Sequence, residues 1–147
     1  MDFTNLIADF AQRHGIANLA AEDNATALDI DGVIVTLIAA NDVLSVSAEI
    51  GEPPADGRAD FAELLLEANM QSEAFFAKAP GGDSYILVRR IALPTLEPAD
   101  FDNALEAFIN MVETWRRLLA DFRPAAKAAA ESAQADPEFA VHGYMQV

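Results

Sequence analysis

The chain has 147 residues, nine Lys and Arg against 24 Asp and Glu, a formal charge of −15 with both His neutral, and no Cys. Without sulfur there is no disulfide scaffold, thiolate metal site or cysteine nucleophile, and the charge has the wrong sign for a nucleic-acid backbone or an anionic membrane surface, which Lys and Arg hold. Apolar residues make up 52%, 30 residues being Ala, which leaves enough larger side chains for the core of a single domain.

Met1-Asp2-Phe3-Thr4-Asn5 carries an acid where a secretory signal carries positive charge. No window approaches the roughly 18 uninterrupted apolar residues of a membrane span, and the expectation is a cytoplasmic protein without membrane insertion. Phe3, Leu6, Ile7 and Phe10 stand at i, i+3, i+4 and i+7, predicting a helix that ends at His14-Gly15, where Gly suits the left-handed position after a helix. From Thr26 the period changes. Leu28 to Ile30, Val33 to Ala40 and Val43 to Ile50 read as three strands joined by tight turns at Asp31-Gly32 and Asn41-Asp42.

The stretch Gly51 to Gly57, with Pro53 and Pro54, breaks the pattern, and Phe61, Leu64, Leu65 and Ala68 return to helical spacing over about Ala59 to Gln71. Ala74 to Ala77 and Tyr85 to Val88 flank Pro80-Gly81-Gly82-Asp83, a turn composition that predicts two more strands. Pro94 ends the last of these. Pro98 suits a first helical turn, and Phe101, Leu105, Phe108, Ile109, Val112, Trp115 and Leu119 carry one stripe to the stop at Pro124. The expected fold is α+β, in the order α-β-β-β-α-β-β-α, with helices on one face of a mainly antiparallel five-stranded sheet. Residues 1–122 form this domain, and 123–147 form an Ala-rich extension, partly helical or disordered.

Leu28-Asp29-Ile30-Asp31-Gly32-Val33 resembles the start of the Mg-dependent haloacid-dehalogenase phosphatases, with Asp29 as nucleophile and Asp31 handling protons, and Gly82-Asp83-Ser84 echoes that family's later loop. That chemistry needs a doubly wound parallel sheet and a Lys to neutralise the phosphoryl charge, whereas here Gly32 leads straight into a strand. Asp31-Gly32 serves equally as a hairpin turn. An EF-hand beginning at Asp29 would place Ala40 where a bidentate Glu is required. His14 and His142 lie far apart without a catalytic or zinc spacing around either. Nothing in the motifs argues for an enzyme, a metal or a cofactor. Leu64-Leu65-Leu66 covers about 200° of a helix, wider than one core face requires, so one of the three is expected to meet something outside the monomer.

The order of elements, together with Phe61-Ala62-Glu63-Leu64-Leu65-Leu66-Glu67-Ala68-Asn69-Met70 and Tyr85 to Pro94, resembles the class I type III secretion chaperones of the CesT/Tir-chaperone family over residues 1–122. The loop at Pro53-Pro54, the pair Phe75-Phe76 and the extension after Arg123 depart from that pattern. The resemblance implies a non-enzymatic homodimer that keeps the N-terminal segment of a secreted effector soluble, extended and export-competent. It further implies dimer contacts at Leu64, Leu65 and Ala68, and effector contacts at Phe3, Ile7, Phe10, Val46 and Ile50. An adaptor binding a regulatory protein is the alternative binding role.

Overall fold

The computed structural model describes residues 2–124. Helix α1 (Phe3–His14) starts at Asp2, whose carboxylate accepts the Asn5 amide at 2.8 Å, and ends at Gly15 in the left-handed region, φ 62°. The cap satisfies one of the amides a helix start leaves free, and the four apolar residues of the expected stripe are buried. Strands β1 (Ala25–Ile30), β2 (Val33–Ala40) and β3 (Val43–Gly51) form the expected meander. Both connecting turns hold two residues at positive φ, 52° and 85° at Asp31-Gly32 and 52° and 63° at Asn41-Asp42, the backbone whose twist matches that of the flanking strands.

Helix α2 (Arg58–Asn69) is followed by β4 (Ala74–Lys78), β5 (Tyr85–Ala92) and α3 (Pro98–Ala120). Helix α2 stops at Asn69 rather than Gln71, where the Asn69 side chain is engaged by β4. Strand β1 begins at Ala25, earlier than the Leu28 of the sequence reading, because Ala25 pairs with Ile38 of β2. Strand β5 pairs with β3 as far as Ala92 opposite Val43, just before the stop expected at Pro94.

All strand pairs are antiparallel, in the spatial order β1-β2-β3-β5-β4. Leu28, Val35, Leu37, Leu44, Val46, Ala48, Phe76 and Leu87 alternate onto one face and are buried there with Phe61, Phe101, Phe108 and Val112 of the helices. The α+β fold, the element order and the single helical layer agree with the expectation. The extension beyond Pro124, with His142, lies outside the described residues.

Helix α3 is fastened to the sheet at the irregularity between Glu49 and Gly51, where Arg116 Nε and Nη2 donate to the Glu49 carbonyl at 3.0 and 2.8 Å. At Gly57, φ 80°, an added Cβ would stand 2.6 Å from Pro124 Cγ, so Gly there permits both the turn into α2 and the close passage of the chain after α3.

The end of α1 is clamped to α3 by charge. Arg13 Nη2 donates to Asp102 Oδ1 at 3.0 Å, Nη1 donates to Oδ2, and His14 Nε2 stands 3.2 Å from Oδ2. The Arg13 guanidinium holds the Asp102 carboxyl below the usual carboxylate range, outweighing a partial desolvation that acts the other way. A carboxylate depressed on folding stabilises fully above its unfolded pKa and loses that contribution as pH falls through the folded one. Asp102→Asn is therefore expected to narrow the loss of stability between neutral pH and about pH 3 relative to the native chain, measured by urea denaturation at both ends.

Candidate functional site

Two surfaces carry apolar side chains that the fold leaves outside. The first surrounds α2. Phe61 and Leu65 turn inward, while Leu66 and Met70, one helical turn apart, are 66% and 87% exposed. Leu64 and Ala68 are half-buried and pack against the core, and Leu65 is buried at the floor of an open groove of about 630 Å³ between α2 and β4. Phe76, Ala77 and Tyr85 line the same groove. Of the three expected dimer residues, Leu65 reaches this groove directly and the other two lie behind it. Leu66 is the leucine of the triplet that points outward.

Strand β4 is an edge of the sheet, and an exposed edge invites pairing with another chain. Asn69 blunts it. The Phe76 amide donates to Asn69 Oδ1 at 2.6 Å, and Asn69 Nδ2 donates to the Phe76 carbonyl at 3.4 Å, so one side chain stands in for a neighbouring strand. Removing a partner from a half-buried amide leaves it unsatisfied, and Asn69→Ala is expected to cost about 1–3 kcal/mol in a denaturant titration.

The second surface is the sheet face opposite the helices. Ile34 and Ile38 of β2 are 61% and 46% exposed, and Val43, Val88 and Phe75 on the same face are half-buried. The Arg90 guanidinium lies over the Phe75 ring at 5.3 Å. Thr36, Ser45 and Ser47 lie between the apolar residues of this face, and Asp29, Glu49 and Arg90 are charged positions on it.

Of the residues expected to meet an effector, Phe3, Ile7, Val46 and Ile50 are buried in the core between helices and sheet. Phe10 is buried too, but it lines a groove among α1, β1 and α3. Sequence reasoning passed over Ile34 and Ile38, whose alternation with Val33, Val35 and Leu37 placed them on the opposite face from those residues.

The acids of the phosphatase-like string belong to a turn. Asp29 accepts the Gly32 amide at 3.0 Å across the β1–β2 hairpin, Asp31 is a central turn residue, and the all-antiparallel sheet is not the doubly wound scaffold. Asp83 of the echoing loop pairs with Lys78 at 3.4 Å across the β4–β5 hairpin. Among the described residues no three His, Asp or Glu side chains converge as a metal site, and no helix is long and apolar enough to cross a membrane.

Solved structures share this architecture. The structure of the ExsC–ExsE complex matches with TM-score 0.69 and 22% identity, over 81% of this chain and 97% of that one. The Yersinia pestis type III secretion chaperone SycH, in complex with a stable fragment of YscM2, matches with TM-score 0.63 and 17% identity, over 78% of this chain and 99% of that one. The HopA1–SchA chaperone–effector complex matches with TM-score 0.65 and 13% identity, over 77% and 91%. The likeness is one of fold, and the fold is that of the type III secretion chaperones. Residues 5–116 match the model of the Tir chaperone protein (CesT) family, and the chain belongs to that family. No curated protein sequence matches closely enough to add to this.

Proposed function

We propose that this protein is a cytoplasmic homodimer that binds the N-terminal segment of a type III secreted effector and keeps it extended and soluble until export. Its role is non-enzymatic. The observation that carries the reading is the apolar ground outside the core, Ile34 and Ile38 on the bare sheet face and Leu66 and Met70 on α2, in a chain whose charge of −15 otherwise favours solubility. Membership of the CesT family and likeness to chaperone–effector complexes support the same reading.

The two surfaces divide the work. Helix α2 and the β4 edge join two copies, with Leu65 and Leu66 at the contact and Leu64 and Ala68 holding α2 in place. The sheet face and the groove bordered by Phe10 take the effector, while Phe3, Ile7, Val46 and Ile50 underlie them. Ordering a disordered segment costs about 2–5 kcal/mol or more, so affinity must come from many apolar contacts spread over roughly 1,000–3,000 Å².

The cellular test is deletion of this chain from its own bacterium. The expected result is that one secreted protein, or a small set, disappears from the culture medium and becomes insoluble or degraded inside, and that the native chain restores it. Unchanged secretion and solubility of every type III substrate would contradict the proposal.

A further inference from the structure

The groove at the end of α1 differs from the one beside α2 in the sign of its rim. Its volume is about 660 Å³, and its floor is apolar, with Phe10, Leu105 and Ile109 buried and Ile16 38% exposed at the lip. Around it stand the carboxylates of Asp29 and Asp31 from the β1–β2 hairpin and of Glu106 and Glu113 from α3. Asp102, also at the rim, is taken by Arg13, but none of those four acids has a cationic partner among the described residues. The α2 groove instead carries Arg58 and Lys78, and both of these face Asp83, at 3.6 and 3.4 Å.

An apolar floor inside an acidic ring favours one kind of occupant. A bulky apolar side chain entering it excludes water from the floor, and charges flanking that side chain come within reach of the rim. Lys or Arg there gains from the unneutralised carboxylates, whereas Asp or Glu is repelled. We infer that this groove selects, within the partner's extended segment, an apolar anchor flanked by basic residues, with Asp31, Glu106 and Glu113 as the specificity determinants. The inference rests on the chaperone reading and adds which part of a partner chain the groove accepts.

The test uses three short synthetic peptides with one common Leu-Phe-Ile core and flanks of Lys and Arg, of Gln and Asn, or of Glu and Asp. Binding to the full-length protein is read by fluorescence anisotropy. The basic-flanked peptide is expected to bind about tenfold more tightly than the neutral one, with the margin shrinking as salt is raised, and the acidic one more weakly still. Asp31→Asn with Glu106→Gln and Glu113→Gln should erase the margin. A control triple, Glu52→Gln with Glu63→Gln and Glu97→Gln, makes the same change in net charge at exposed positions away from the groove and should keep it. Ile16→Gln should weaken all three peptides. An equal loss in both triple variants would show a general field rather than a selective groove, and would overturn the inference. So would equal affinity for all three peptides, even if the protein still protects an effector segment, in which case the chaperone reading stands without this selectivity. Failure of every peptide to bind, together with failure to protect any effector segment, would overturn both.

Discussion

In the proposed homodimer, Leu66→Glu combined with Met70→Glu is expected to separate the two copies without unfolding either. Both side chains stand mostly outside the single chain, at 66% and 87% exposure, so the monomer has little packing to lose. In a dimer joined through α2 they would be covered, and a stable interface covers about 1,200–2,000 Å² with a few central residues carrying most of the energy. Placing two carboxylates there desolvates charge without a partner and sets like charges against each other across a two-fold axis. Dimer affinity should fall at least about 100-fold. Light scattering behind size-exclusion chromatography reads the mass, and far-UV circular dichroism checks that the fold persists. An unchanged dimer would place the contact on another surface.

Phe61→Ala should cost about 3–5 kcal/mol, a large part of the roughly 5–15 kcal/mol by which native domains are stable. The Phe61 ring is fully buried and lies 4.9 Å from that of Phe122, 5.8 Å from Tyr85 and 6.4 Å from Trp115, so it joins α2, the sheet and the end of α3. Truncation leaves a hole bounded by Tyr85 of β5 on one side and by Trp115 and Phe122 of α3 and its end on the other, which are held apart by the rest of the core. Urea denaturation followed through Trp115, the single tryptophan, reads the change. Glu63→Ala, at an exposed position of the same helix outside the proposed contact residues, provides a surface comparison, with a change within about 0.5 kcal/mol expected. A loss below 1 kcal/mol for Phe61→Ala would contradict the packing described.

How much of this was legible in the sequence depended on whether the signal was local. The turns at Asp31-Gly32 and Asn41-Asp42 could be read because positive φ is a property of two adjacent residues. The α3 stripe could be read because its period repeats over the whole helix. The leucine triplet announced that one member would be left outside, but Leu66 became that member only when α2 docked beside β4, which fixed its rotation. Asn69 could not be assigned its role, since its partner is the Phe76 edge of a strand formed after it in the chain. On β2 both faces are apolar, with Val33, Val35 and Leu37 on one and Ile34 and Ile38 on the other, so hydrophobicity alone did not say which side would remain bare. The resemblance to the chaperone family pointed to apolar residues such as Phe3, Ile7, Val46 and Ile50, and in the folded chain these four are buried in the core.

The most direct measurement is co-expression with each candidate type III secreted protein of the same bacterium, followed by limited proteolysis and native mass spectrometry of what survives. The account predicts a particle with two copies of this chain and one protected stretch from the effector's N-terminal region, the remainder of the effector being digested or separately folded. A surviving particle containing one copy of this chain alone, with the effector cleaved as fast as it is without it, would contradict the account.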